Sequence, residues 1–296
     1  MPLIDSSTNT ILYLSYGTGP HEQEVAFSVS SLLYHADFDS NLRILLYTDH
    51  PHNFEHLPAE VILIPSEQWQ DWSGPHNFNH RRKILAVQHA FAAGHQKIVL
   101  VDGDTWFRKP PCQLFEKVAP GQSVMHIQEG RINGVSTPLF RQMTQLLSDF
   151  SYVDQNGSSK TISPSTLMWN AGVVGMHCAD RHLLDDVLSL TDQLCCQSDL
   201  HVCEQFAFSE ILQSKTDLTE AADLVFHYWS PWLHKPFRAK LNKIFQQAIA
   251  LPKDQRGAFL YKHRPRPNWR QKAKVVCKRC CQMLGLIQGR CRSNEW

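Results

Sequence analysis

Four short, almost unbroken apolar segments fall within the first 101 residues: ILYLSY at 11–16, LRILLY at 42–47, EVILI at 60–64 and KIVLV at 97–101. Runs of that length, rich in Ile, Leu and Val and without alternation, suit strands buried on both faces of a parallel sheet. Between the first two, residues 21–36 carry Val25, Val29, Leu32 and Leu33 at helical spacing. Residues 66–78 (SEQWQDWSGPHNF) read as a polar, aromatic loop. Asn79 then reads as the N-cap of a helix over about 80–93, with Gly94 as its stop. This order predicts an α/β fold, a doubly wound mixed sheet flanked by helices. Ligands of such sheets bind beyond the carboxyl ends of the strands.

The second half is less regular. It predicts a strand over 123–127, a helix over 137–147, and a polar loop over 154–165. A strand over 166–176 is interrupted at Asn170-Ala171-Gly172. Helices follow over 180–196, 200–212 and 236–251, with a short strand at 223–226 that leads into His227-Tyr228-Trp229. There is no internal repeat, so the chain divides into one domain of residues 1–260 and a tail of residues 261–296.

The last of the four apolar runs ends in Asp102-Gly103-Asp104. Residues i and i+2 of an extended segment point the same way, so both carboxylates can face one ligand. The glycine between them lets a ligand approach the backbone. Two hard oxygen donors suit Mn2+ or Mg2+ with open positions for phosphate oxygens. An ion bridging a diphosphate would stabilise charge on a departing nucleotide. A phosphohydrolase of the HAD type also places D-x-D after an apolar strand. It normally has Thr or Val where this chain has Trp106, and its strand lies near the start of the chain. Some 20 residues upstream, Arg81, Arg82 and Lys83 occupy the first turn of a predicted helix. Cations there oppose the helix dipole by a few tenths of a kcal/mol to ~1 kcal/mol, which points to a functional reason for them.

Together these features resemble the retaining GT-A glycosyltransferases of family 8 and related clans. Tyr16-Gly17-Thr18-Gly19 resembles the nucleotide-contacting loop, and KIVLVDGDTWF the strand with the metal motif. Trp169-Asn170-Ala171-Gly172-Val173 resembles the segment that contacts the donor sugar, and Glu204-Gln205 the later acid–amide pair. His227 with Lys235-Pro236 resembles the H-x-x-G-x-x-K-P segment, here with a longer spacing and no glycine turn. The resemblance implies a metal-dependent transfer from a nucleotide-diphosphate sugar, UDP-linked by expectation, to a saccharide or lipid-linked acceptor. It implies Asp102, Asp104 and His227 as ligands of Mn2+ (or Mg2+). Tyr16, Gly17, Thr18, Arg81, Lys83, Asp102, Asn170, Ala171, Gly172 and Lys235 would bind the donor, with Glu204 and Gln205 near the anomeric carbon. An inverting enzyme would need a carboxylate base, for which Glu129 and Asp149 are candidates. The rival readings are the phosphohydrolase and a GT-A fold that binds without catalysis.

Formal net charge is +1, but residues 262–296 hold ten Lys or Arg and one acid, which leaves the preceding body at −8. The tail interleaves bases with Trp269, Val275, Leu284 and Ile287, a pattern suited to an anionic membrane surface. No nucleic-acid-binding domain accompanies it. Six of nine cysteines fall in two groups, Cys195, Cys196 and Cys203, then Cys277, Cys280 and Cys281. Without a recognisable export leader or membrane span, these predict reduced thiols in a cytoplasmic protein, peripheral at the membrane through its tail.

Overall fold

The computed structural model describes residues 9–35, 41–135, 137–154, 157–163 and 165–266. The interleaved basic and apolar stretch from Trp269 to Ile287 and the Cys277–281 group therefore lie outside the described residues.

The first apolar run forms β1 (Asn9–Ser15), followed by α1 (Pro20–His35), β2 (Leu42–Thr48) and β3 (Glu60–Leu63). Next come α2 (Ser66–Ser73), α3 (Arg81–Ala92), β4 (Lys97–Val101) and the short β5 (Thr105–Phe107). The middle of the chain holds α4 (Cys112–Phe115), β6 (Gln122–Met125), β7 (Gln128–Arg131) and α5 (Pro138–Leu147). A hairpin of β8 (Ser151–Val153) and β9 (Ser159–Thr161) precedes β10 (Leu167–Trp169) and β11 (Val173–His177). The chain closes with α6 (Leu183–Cys195), α7 (Cys203–Lys215), β12 (Asp217–Glu220), β13 (Val225–His227), α8 (Pro231–Ile249) and α9 (Lys253–Lys262).

Seven strands form the central sheet in the order β12-β6-β11-β4-β1-β2-β3. β3, β2, β1 and β4 run parallel, as their apolar runs predict, while β11 is antiparallel to both β4 and β6. The sheet is thus mixed. Alternate residues of the central strands feed two cores. Leu12, Ile98 and Leu100 pack on the side of α3, α6 and α7; Ile11, Tyr13, Val99 and Val101 pack with Val25, Val29 and Leu32 of α1. A third cluster joins Phe27 and Trp106 to Tyr228, Phe237 and Leu241, and so fixes α8 beside α1. α9 crosses residue 261, and Tyr261 stacks on Tyr34 of α1 with ring centroids 4.6 Å apart.

Three local expectations are corrected. Residues 66–73 are a helix, because Trp69 and Trp72, three apart, bury one face while the polar residues face out. Asn79 is not a side-chain cap. α3 starts at Arg81, and Asn79 contributes only its carbonyl, which accepts from the Arg82 N–H. α8 starts five residues before Pro236, because Pro231 already supplies the φ that suits a first helical position. Among the described residues no helix is long and apolar enough to cross a membrane.

Candidate metal and donor site

Strand register brings the site together. β11 pairs with β4 so that Val173 faces Val101. The turn before β11, Asn170-Ala171-Gly172, therefore sits beside the end of β4, where the Asp102 N–H donates to the Gly172 carbonyl at 2.9 Å. The chain bends at residues 102–104 and continues as β5, which pairs with β13 so that Thr105 faces His227. His227 is thereby delivered to Asp104, and the Tyr228 N–H donates to the Asp104 carbonyl at 2.9 Å. The aspartates do not lie on one extended strand as their spacing suggests. The bend turns both toward the same imidazole.

Gly103 has a structural reason beyond ligand access. A Cβ there would lie 2.8 Å from Cγ2 of Val25, so the glycine lets α1 close over the bend. Thr105 fixes the bend by donating its hydroxyl to the Asp102 carbonyl at 2.8 Å.

The acidic pair and His227 place ligand atoms within 4.8 Å of one another. His227 Nε2 lies 3.0 Å from Asp104 Oδ1 and 3.9 Å from Asp102 Oδ2. Its Nδ1 donates to Asn170 Oδ1 at 2.8 Å, and that oxygen also accepts from the Gly172 N–H at 3.0 Å. The fixed Nδ1–H leaves Nε2 as the nitrogen facing the carboxylates, the usual outer support of a metal-binding histidine. Two carboxylates and one imidazole, held together this closely, fit a divalent ion of the Mn2+ or Mg2+ class.

The electrostatics agree with that donor set. Burial alone would raise the Asp104 pKa, but the charge and hydrogen bond of His227, helped by His234 and Lys83, hold it well below the usual carboxylate range. Burial alone would lower His227, but Asp104, then Asp102, raise it above the ordinary imidazole value. In the metal-free protein the raised imidazole contributes stability that is fully present below about pH 6.5 and is lost as pH rises through the raised value. The depressed carboxylate contributes stability present above about pH 4 and lost as pH falls through its folded value. An ion needs Nε2 bare, so binding expels a proton whenever the ring is charged. Mn2+ affinity is expected to fall by up to about tenfold per pH unit below the His227 pKa and to level off above it. Isothermal titration across that range measures this, and a flat profile removes His227 from the site.

Lys83 closes the other side. Its Nζ lies 2.8 Å from Asp102, 3.4 Å from Glu204 Oε1 and 3.4 Å from the Ala171 carbonyl. Burial would lower its pKa, but Asp102 and Glu204 outweigh that and keep it charged. Glu204 is buried in the first turn of α7, and Gln205 beside it accepts from the Ala171 N–H at 3.3 Å. At the end of β1, the Gly17 N–H donates to the Asp49 carboxylate at 2.9 Å, while Thr18 is exposed. Tyr16 packs on Trp69, with the Arg82 guanidinium 4.3 Å over its ring.

Two expected donor contacts lie elsewhere. The Arg81 guanidinium makes a forked pair with Asp192 of α6, at 2.7 and 3.0 Å, and donates to the Trp72 carbonyl at 3.2 Å. It fastens α2 and α6 to α3. Arg81→Ala is expected to cost about 2 kcal/mol and so lower Tm by about 4–8 °C. Thermal unfolding checks this; an unmoved Tm with weakened nucleotide binding would return Arg81 to the donor. Lys235 is exposed on α8, and its neighbour His234 turns inward instead, 3.9 Å from Asp104 Oδ2.

Sequence reasoning missed the group behind His234. Glu24 of α1, fully buried, lies 3.0 Å from His234 Nε2 and pairs with Arg238. Glu24, Ser28 and Ser31 recur at i, i+4 and i+7 of α1. That polar stripe is buried, with Ser28 bonded to Thr105 at 2.7 Å and Ser31 accepting from the Phe107 N–H at 2.9 Å. Of the two candidate bases, Asp149 is exposed after α5, whereas Glu129 bonds to Asn170 and Gln205.

The fold is the GT-A fold. The galactosyltransferase LgtC, solved with donor and acceptor sugar analogs, superposes at a TM-score of 0.52 with 12% identity, over 84% of this chain and 99% of that one. The bifunctional glycosyltransferase WbbM, solved without ligand, gives a TM-score of 0.52 with 11% identity over 89% of this chain. The chain spans about half of WbbM, 53% of its length. No family model and no curated protein matches the sequence.

Proposed function

We propose that this chain is a metal-dependent glycosyltransferase that moves a sugar from a nucleotide diphosphate, UDP by preference, to a saccharide or lipid-linked acceptor. The observation that carries the reading is the convergence of Asp102, Asp104 and His227 with the Asn170-Ala171-Gly172 turn and Gln205 at the carboxyl end of β4. Low-identity likeness to LgtC and WbbM supports the fold on which such a site would sit.

Asp102, Asp104 and His227 would hold Mn2+ or Mg2+, which when bound neutralises charge gathering on the diphosphate as it leaves. Tyr16 and the Gly17-Thr18 loop would take the base and ribose. Lys83, buried and held between Asp102 and Glu204, would supply positive charge beside the sugar and phosphate. Asn170, Ala171 and Gly172 would receive sugar hydroxyls, and the lack of side-chain bulk at 171 and 172 leaves room for the ring. In the transfer, the anomeric C–O bond to the diphosphate breaks and a C–O bond to the acceptor hydroxyl forms. The hydroxyl proton goes to the released nucleotide diphosphate. Gln205 would face the anomeric carbon and stabilise its developing positive charge without forming a strong covalent bond. Retention of configuration follows the family resemblance. A cytoplasmic site of action at the membrane surface, with the basic tail as the contact, is part of the same proposal.

A thermal-shift screen of UDP, GDP and CMP sugars, each with and without Mn2+, tests this. A donor at 100 times its Kd adds about 2.7 kcal/mol of stability. The expected result is a shift with a UDP-sugar that needs the metal. Absence of any nucleotide-sugar shift with Mn2+ present overturns the proposal.

A further inference from the structure

Glu129, on β7, is joined to both halves of the site. One carboxylate oxygen accepts from Asn170 Nδ2 at 3.3 Å, the other from Gln205 Nε2 at 3.1 Å. β7 holds it there because Trp169, at the end of β10, pairs with Gln128. We propose that Glu129 is a positioning residue that sets the direction of both amides and, through Asn170, the nitrogen that His227 offers to a metal. The kinetic half of this inference rests on the glycosyltransferase reading; the metal half does not.

The two ends of a side-chain amide have nearly the same shape, so only the hydrogen-bond partners decide which end points where. A carboxylate only accepts, so it forces the NH2 of each amide toward itself. The opposite end of Asn170 must then be the oxygen, and it accepts from the Gly172 N–H and from His227 Nδ1. That places the ring proton on Nδ1 and frees Nε2, which faces Asp102 and Asp104. The opposite end of Gln205 is likewise an oxygen, anchored by the Ala171 N–H. Donation to a carboxylate draws electron density toward that oxygen, since bonded groups polarise one another in a low-dielectric site. A more negative Gln205 oxygen is what a positive anomeric carbon requires.

Glu129→Gln tests this with almost no change of shape. Its own NH2 must face the NH2 of Asn170 or of Gln205, so one amide turns over. The Mn2+ dissociation constant, read without nucleotide from the electron paramagnetic resonance of the free ion, is expected to rise about 10- to 100-fold. kcat for transfer is expected to fall about 100-fold, the scale of a lost positioning contact, with donor KM nearly unchanged. Glu129→Asp keeps the charge and is expected to restore most of the affinity. In an Asn170→Ala background, Glu129→Gln should cost no further Mn2+ affinity, since both act through one path. Wild-type Mn2+ affinity in Glu129→Gln, equal damage in Glu129→Asp, or additive losses with Asn170→Ala would each overturn the inference. Should Glu129→Gln fail to fold, the aspartate variant and Asn170→Ala still decide it by the same titration. If the native protein binds Mn2+ yet uses no nucleotide sugar, the kinetic half falls with the function, and the titration alone decides the metal half.

Discussion

Asp104→Ala is expected to lose saturable Mn2+ binding and to lower metal-dependent sugar transfer by at least about 1,000-fold, an increase of roughly 4 kcal/mol in the barrier. Asp104 sits at the junction of the bend, β5 and β13, and its carboxylate is the closest anion to His227, at 3.0 Å. Removing it takes away one oxygen ligand. It also removes the charge that chiefly raises the pKa of the buried imidazole in the metal-free protein. The fold should survive, because the Asp104 carbonyl still accepts from the Tyr228 N–H and the β5–β13 pairing is backbone-borne. Circular dichroism, free-Mn2+ titration and single-turnover transfer on the same sample separate these effects. Transfer at more than a tenth of the native rate in this variant would remove the metal role from the proposal.

Gly172→Ala is the second large effect. A Cβ at 172 would stand 2.1 Å from His227 Nδ1 and 2.4 Å from its Cε1, far inside van der Waals contact. Neither side can yield cheaply. Gly172 is held by its carbonyl to the Asp102 N–H and by its N–H to Asn170, and His227 is buried between Asn170 and Asp104. The methyl group must therefore displace the ring from the acidic pair. The expected result is a Mn2+ affinity lower by at least about 100-fold, of the order of losing a ligand's support. An overpacking cost of about 1–3 kcal/mol accompanies it. Mn2+ titration and thermal unfolding measure the two quantities. Native affinity in this variant would mean that His227 is not held where the structure places it.

Much of the framework is readable from the chain because it is written in apolar runs. β1, β2 and β4 announce themselves by continuous Ile, Leu and Val, which a sheet covered on both faces buries; β3 has a similar run, yet at the sheet edge its Leu63 stays exposed. The interruption at 170–172 is equally visible, since it breaks a strand that continues on both sides in different sheets. The elements that escaped notice are short or polar. β5 has three residues, too few to display a period, yet its pairing with β13, expected as the short strand at 223–226, is what carries His227 to Asp104. α2 hides its two tryptophans among Glu, Gln and Asp.

The site divides in the same way. The grouping of Asp102 and Asp104 with His227 was legible in part, the acidic pair from its place at the end of a buried strand and the histidine from the resemblance alone. Lys83 and Arg81 could not be told apart, since they differ by two positions on one helix and only α6, brought back by tertiary folding, decides which of them Asp192 takes up. Glu24 carried a misleading signal, as a polar stripe on a helix normally marks the wet face. From the sequence Glu129 is only one of two candidate bases, with Asp149, because a two-amide clasp depends on β7 pairing with β10, which no local pattern foretells.

The reversal of β11 has a temporal consequence. The groups that would grip a metal come from residues 102, 104 and 227, and their supports from residues 129, 170 and 205. The full set cannot meet until β11 has inserted beside β4 and β13 has closed on β5, pairings that span 70 to 120 residues of chain. Contacts so far apart in sequence form late, after the entropy of closing long loops has been met. An ion at this site therefore cannot guide assembly. It can only recognise a chain whose assembly is complete and slow its undoing, so chelation should quicken global unfolding rather than loosen one loop.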